Sequence, residues 1–204
     1  PLEEIQQKEN LSEESQANML TAMKNVDTLL RLTTNLINFS KANVYSSSLR
    51  ISEHELNTYM EGICHAFYSY AEAKQIKLDY KSNFEYQNVW FDKEKMDSIT
   101  KNLISNAIKY TPAHGEVHII ICHDKDNWSL EITDTGIGIP AKEQKKLFKL
   151  HFRGSNAINA KITGSGIGLM LVWKLVRIHK GKISIESVEN KGTRVKVIFP
   201  QKQF

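Results

Sequence analysis

The sequence predicts an α+β fold: an α-helical hairpin followed by one sheet covered on one face by helices. Three observations lead there. The first forty residues carry helical periodicity and no strand pattern. Beyond them, helical runs, short alternating stretches and two hairpins follow one another in blocks. Hydrophobic residues make up 41% of the 204 residues, enough for a sizeable core. The expected division is 1–44 for the hairpin and 45–204 for the α/β part.

The elements follow in order. Ser12 is a good N-cap, and Glu13 and Glu14 place negative charge in the first turn, where the helix dipole favours it. Met19, Met23, Val26, Leu30, Thr33 and Ile37 then recur at alternating spacings of four and three. That is a heptad seam, widened by Leu29, Leu36 and Phe39. Leu2 and Ile5 share one face of a short preceding stub, so the hairpin is cut short in its first arm. Two readings stand. The helix packs on its own domain, or it is half of a dimeric four-helix bundle, since a lone hairpin of this size leaves its seam exposed.

Residues 41–50 lose the heptad and contain Ser46, Ser47 and Ser48, a linker. Residues 52–74 read as helix, and 77–80 and 89–90 as short extended stretches. A third helix starts near Asp92. Met96, Ile99, Leu103, Ala107 and Ile108 keep helical spacing until Thr111-Pro112 stops it. Residues 117–122 and 128–133 form a hairpin around 124–127. The stretch 141–163 is polar without a strong pattern. Leu169, Val172, Leu175, Val176 and His179 make a helix ending at Gly181, and 183–188 and 194–199 close the chain as a hairpin turning at Asn190-Lys191-Gly192.

Composition excludes several classes. The net charge of +4 is mild and no basic stripe stands out, so direct nucleic-acid binding is not expected. Cys64 and Cys122 lack metal or redox spacing and read as free thiols in a reducing compartment, which fits a cytoplasmic location. No signal peptide and no membrane-spanning run occurs in these residues, which leaves a membrane-anchored parent open.

The candidate site rests on one helix face and two glycine loops. Asn102 and Asn106 are four apart, with Lys109 and Tyr110 one turn on. Asparagine is a poor helix former, so two in mid-helix need a reason. Their amide oxygens suit Mg²⁺, Lys109 offers a point charge to phosphate, and Tyr110 a flat face to a base. Asp134 ends a strand, where its carboxylate can accept from an exocyclic amine and so choose adenine over guanine. Gly136 and Gly138 let the chain bend closely beneath it. The second loop, Gly164-Ser165-Gly166-Ile167-Gly168-Leu169, sets backbone N–H groups at a helix N-terminus, which favours phosphate. It is neither a P-loop, lacking Gly-Lys-Ser/Thr, nor a dinucleotide fingerprint, lacking a strand that feeds it.

Each string alone is weak, but their order is specific. Lys101-Asn102-Leu103-Ile104-Ser105-Asn106-Ala107-Ile108-Lys109-Tyr110-Thr111-Pro112 resembles the N-box of sensor histidine kinases. Residues 134–140 resemble their first glycine box, Phe148 to Phe152-Arg153 the F-box, and 164–169 the second glycine box, with Gly192-Thr193 following. Residues 29–41 are similar to the second helix of the dimerisation and phosphotransfer bundle.

The resemblance implies a two-layer α/β sandwich with a mixed, mostly antiparallel sheet, shared with gyrase, Hsp90 and MutL ATPases. It implies ATP and Mg²⁺ as cofactors. Asn106 would hold the metal, Asn102 and Lys109 the phosphates, and Tyr110 would lie against the nucleotide. Asp134 would read the adenine amine beside Thr193, and Arg153 would reach from a lid to the terminal phosphates. Gly136, Gly138, Ile139, Phe148, Phe152, Gly164, Ser165, Gly166, Ile167, Gly168 and Leu169 would complete the pocket. Asn102, Lys109 and Arg153 carry the catalytic expectation.

The hydrolytic relatives place a Glu general base where this chain has Asn102, which cannot take a proton from water. ATP should therefore be held for transfer rather than hydrolysed. None of the seven histidines sits where the family's acceptor does. His54-Glu55 looks superficially like the acceptor motif but falls in the first helix of the ATP domain, without Thr-Pro-Leu after it. Pro1-Leu2 reads as the tail of that motif, which puts the acceptor just upstream. The expected partners are a second copy through the hairpin and a response-regulator receiver domain. Two other readings remain: a non-catalytic nucleotide-binding or dimerisation module, and a gyrase- or Hsp90-like ATPase, which Asn102 disfavours.

Overall fold

A computed structural model describes residues 12, 14–23, 25–26, 28–29, 33, 49–149, 152, 154–160, 162 and 166–201. The chain divides into two compact units, Pro1–Lys41 and Ala42–Phe204. In the first, every described residue from 14 to 33 is helical. Ser12 caps this helix as expected: its Oγ accepts from Ser15 N at 3.3 Å, and its carbonyl accepts from Gln16 N at 2.9 Å. Met19 and Met23 are half-buried, whereas Leu20, Val26 and Leu29 are exposed. The stub 1–11, the later seam positions Leu30, Leu36, Ile37 and Phe39, and the serine linker lie outside the described residues.

The second unit begins with a strand and a helix, β1 (Ile51–Glu55) and α1 (Leu56–Ala73). Next come β2 (Lys77–Ser82), β3 (Asn88–Asp92) and α2 (Lys93–Tyr110). The first long hairpin is β4 (Glu116–His123) and β5 (Asn127–Asp134). Two short helices follow, α3 (Ala141–Gln144) and α4 (Ser155–Asn159), then α5 (Gly168–Ile178). The closing hairpin is β6 (Lys182–Val188) and β7 (Gly192–Pro200).

Five strands form one sheet in the order β2-β4-β5-β7-β6. β2 runs parallel to β4 and the other neighbours are antiparallel, so the sheet is mixed and mostly antiparallel. Alternation decides which face is covered. Val117, Ile119 and Ile121 of β4 and Leu130 of β5 point to one face and are wholly buried. Against them pack Leu56 and Met60 of α1, Met96, Ile99 and Ile104 of α2, and Leu171, Val172 and Val176 of α5. Trp128 stacks on Phe199 across β5 and β7 with ring centroids 4.5 Å apart. On the other face Glu131 receives Arg194 Nη2 at 2.6 Å. The result is the expected two-layer arrangement, helices over one side of the sheet.

The structure corrects one reading. His54 stands in strand β1, not in a helix, and β1 pairs with β3 as a separate two-stranded sheet. The His54 ring stacks on Phe91 at 4.6 Å. Helix α1 starts only at Leu56 because Glu55 caps it, with Oε1 accepting from Asn57 N at 3.0 Å and Oε2 from Thr58 N at 2.6 Å. Glutamate is an uncommon cap, so the sequence hides this boundary. The stretch 141–163, unassigned from sequence, holds the two short helices α3 and α4.

A buried polar cluster joins the helices to β3. Asp92 caps α2, accepting from Lys95 N at 3.1 Å and from Arg50 N at 2.9 Å. Its own N–H donates to His179 Nε2 at 3.3 Å, while His179 Nδ1 lies 2.7 Å from Leu175 O. His179 is wholly buried, and burial lowers its pKa below the usual histidine value.

Candidate functional site

Asp134 closes β5 at the centre of the sheet, between Val117 of β4 and Thr193 of β7. It is 8% exposed. Its Oδ1 accepts from Gly136 N at 2.8 Å and Thr193 N at 3.1 Å. Oδ2 has no hydrogen-bond partner among the described residues. Burial pushes this carboxyl up to about 6, although the two N–H donors pull the other way. Gly192 explains how the strand gets so close: at φ +108 its Cβ would fall 1.9 Å from Asp134 O. A side chain there would break the row.

The first glycine loop is fastened from three sides. Ile137 N donates to Tyr110 O at 3.1 Å, which ties the loop to the end of α2. Ile137 O accepts from Asn190 N at 2.8 Å, which ties it to the β6–β7 turn. Asn156 Nδ2 donates to Gly138 O at 2.9 Å, and Gln144 Nε2 bridges Ile139 O at 3.1 Å and Ser187 O at 2.8 Å. Glu143 holds the start of α4, its Oε2 accepting from Ser155 N at 2.9 Å. Asn156, Gln144 and Ser187 carry no sequence signal as site residues: Asn156 and Gln144 reach the carbonyls of Gly138 and Ser187, 18 and 43 residues away, and Ser187 acts across a hairpin turn.

Helix α2 carries the two asparagines as expected. Asn102 Nδ2 donates back to Ser98 O at 2.7 Å, which turns Oδ1 outward. A Cβ added at Gly168 would lie 2.7 Å from that Oδ1, so Asn102 stands directly against the second glycine loop. α5 begins there with no side-chain cap. Its first N–H groups have no intrahelical partner and favour an anion. Asn106 is half-buried, and its side chain makes no hydrogen bond among the described residues. Lys109 Nζ lies 3.2 Å from Tyr110 OH and 4.6 Å from its ring centroid.

The structure thus brings together Tyr110, Asp134, Gly136, Gly138, Ile139 and Thr193 around the first loop, and Asn102 with Gly168 at the second. Ile167 is buried, Gly166 and Leu169 are half-buried, and Leu169 packs on the core. Phe148 packs near Trp173 of α5 at 6.4 Å between ring centroids, and Phe152 is half-buried. Arg153, Gly164 and Ser165, as well as His151, lie outside the described residues. Among the described residues no group of three His, Cys, Asp or Glu could hold a metal ion. Cys64 and Cys122 are free, and burial pushes the Cys64 thiol up to about 12. No helix of the described residues is long and apolar enough to cross a membrane.

Comparison with known proteins gives this geometry a family. Residues 91–203 match the family described as histidine kinase-, DNA gyrase B-, and HSP90-like ATPase. The circadian input-output histidine kinase CikA of Synechocystis is 29% identical over 188 residues, 91% of this chain and 25% of the relative. Sensor histidine kinase WalK of Bacillus subtilis is 26% identical over 189 residues, 91% of this chain and 30% of the relative. The chain therefore spans about a quarter to a third of these relatives. Among solved structures, full-length ShkA superposes with TM-score 0.78 at 18% identity, over 95% of this chain and 41% of that one. The catalytic domain of histidine kinase ThkA superposes with TM-score 0.67 at 23% identity, over 76% of this chain and 97% of that one. The family match over more than half of the chain and the named relatives agree: the chain belongs to the histidine kinase-, DNA gyrase B- and HSP90-like ATPase family and carries an ATP-binding catalytic domain of the histidine kinase kind.

Proposed function

We propose that this domain binds Mg·ATP and presents its γ-phosphate to a histidine outside the residues described, for relay to an aspartate of a response regulator. The observation that carries the reading is Asp134: a buried carboxylate with one oxygen held by two N–H groups and the other unbonded among the described residues. The buried side-chain atoms without a partner among the described residues are Thr100 Oγ1 and Trp128 Nε1, so the second Asp134 oxygen opens outward, where a ligand donor can reach it. The adenine amine supplies the matching donor.

The residues divide by task. Asp134 accepts from the amine, with Thr193, Gly136, Gly138 and Ile139 shaping the base pocket. Tyr110 lies against the nucleotide, and Lys109, Asn102 and Arg153 meet the phosphates. Gly164, Ser165, Gly166, Ile167, Gly168 and Leu169 form the phosphate end, and Phe148 and Phe152 close it. The donor set fits magnesium: Asn106 offers a half-buried amide oxygen without a protein partner among the described residues. An ion there would keep waters and phosphate oxygens as its other ligands. When bound, Mg²⁺ offsets the charge that builds up on the phosphates. The histidine nitrogen attacks the γ-phosphorus as the bond to the β–γ bridging oxygen breaks, and ADP leaves. Asn102 holds without abstracting a proton, so water is not activated.

By analogy with the named kinases, the N-terminal helix belongs to a dimerising and phosphotransfer hairpin over 1–44, and the ATP-binding part covers 45–204. Its exposed Leu20, Val26 and Leu29 are consistent with a partner helix. ThkA has been solved in complex with the response regulator TrrA, which supports a receiver domain as partner here. A membrane-anchored parent with this part on the cytoplasmic side is the corresponding placement. Titration with Mg·ATP tests the reading. We expect saturable, metal-dependent binding with no steady-state hydrolysis. Hydrolysis that disappears in Asn102→Ala would instead make the domain an ATPase.

A further inference from the structure

Asp134, Thr193 and Ser187 stand opposite one another in a single row across β5, β7 and β6. Thr193 N donates to Asp134 Oδ1. Ser187 Oγ lies 2.9 Å from Gly192 O and 2.9 Å from Thr193 Oγ1. Proton accounting favours one direction for this chain. A serine hydroxyl has one proton, and a carbonyl oxygen can only accept. With the Ser187 proton on Gly192 O, the Thr193 hydroxyl is the one that can donate to Ser187 Oγ. Thr193 Oγ1 is left with lone pairs alone for anything else that meets it. Gln144 fixes Ser187 from the other side, donating to its carbonyl at 2.8 Å.

We infer that Ser187 is a specificity-determining positioning residue: it holds the Thr193 hydroxyl as an acceptor, so that beside Asp134 the pocket presents acceptors and no donor to the edge of a purine. This rests on the reading of Asp134 and Thr193 as the base pocket. An amine, or a water that donates, satisfies two acceptors. A carbonyl, such as O6 of guanine, meets lone pairs on both and is rejected. Ser187 itself touches no ligand in this scheme. It acts through the direction of one hydroxyl proton.

The test compares equilibrium binding of ATP and GTP, each with Mg²⁺, to the full chain and its variants. In Ser187→Ala the Thr193 proton is released and can turn to a carbonyl. The ratio of the GTP to the ATP dissociation constant should fall roughly three- to tenfold, the range of one neutral hydrogen bond. Ser187→Thr keeps a hydroxyl and should restore the wild-type ratio. In a Thr193→Val background, Ser187→Ala should change the ratio no further, because no hydroxyl remains to redirect. An unchanged ratio in Ser187→Ala, with ATP binding intact, overturns the inference and leaves the ATP reading standing. An equal change in both backgrounds overturns it too, because Ser187 would then act on the packing of the hairpin. If the wild-type chain binds neither nucleotide, the ATP reading itself fails and takes this inference with it.

Discussion

Asp134 is held by main-chain groups of a neighbouring strand and of the loop after it, whereas Asn102 is held by one main-chain carbonyl of its own helix. The carboxylate sits in a sheet row and receives two backbone N–H donors, with Gly192 pressed against its carbonyl. Asn102 is steadied by one bond to the turn before it and by the small size of Gly168. The base end is therefore fixed by strand register, which a single side-chain change cannot easily move. The phosphate end depends on one local bond within a helix and on the room that a glycine leaves. The first should lose function through chemistry at Asp134, the second through crowding.

The largest expected effect comes from removing the charge at the rigid end. Asp134→Asn keeps its single oxygen for Gly136 and Thr193 and turns –NH2, a donor, toward the amine. A charge-assisted hydrogen bond is worth about 1.5–3 kcal/mol, so ATP affinity should fall about 10- to 100-fold. Calorimetric titration measures it. Thermal unfolding of the ligand-free variant should show no loss, since burial disfavours the native carboxylate. A large drop in stability would mean that Asp134 is a structural anchor.

At the other end, Gly168→Ala places a methyl against Asn102 Oδ1 rather than against backbone. The asparagine can swing away, so the fold should survive while ATP affinity falls about tenfold or less, the reach of one hydrogen bond. Loss of folding, or no change in affinity, would remove the contrast between the two ends.

Acid should separate them again. The Asp134 pKa of about 6 means that protons occupy the acceptor below that value. Wild-type affinity should weaken as pH falls through 6 more steeply than that of Asp134→Asn, whose slope reports only the phosphates. Equal slopes would place the acceptor elsewhere.

The smallest effect lies away from the site. His179 is buried and its pKa is lowered, so the folded state holds fewer protons than the unfolded one near pH 6. Its contribution is complete above the unfolded value of 6.5 and is lost as pH falls below it. Asp134 works the opposite way in the same window, so the difference between wild type and His179→Gln isolates the imidazole. In urea unfolding the variant should lose less stability between pH 7 and pH 5.5, and a matching loss in both would rule this out.

Sequence legibility followed the same division. Helix α2 with its stop at Pro112, both hairpins and the helix ending at Gly181 announce themselves through local periodicity and breakers. Strand β1 does not, because Ser52, Glu53 and Glu55 mask its alternation and the cap at Glu55 is atypical. Asn102, Asn106, Asp134 and the glycines could be read off because their spacing is local. Ser187, Asn156 and Gln144 could not, because each meets its partner through the folding of distant segments: Gln144 and Ser187 are joined across the sheet edge. Ordinary polar residues at such joints carry no periodic signal.

Adenine recognition turns on one hydrogen bond, between Asp134 and the adenine amine. The direct measurement is a cycle of ATP and purine riboside triphosphate, which lacks that amine, against wild type and Asp134→Asn. Removing the amine should weaken binding to wild type about tenfold or more, as for a charge-assisted bond, and barely change binding to the variant. An equal loss in both proteins would mean that Asp134 does not read the base, and the proposed orientation of the nucleotide would be wrong.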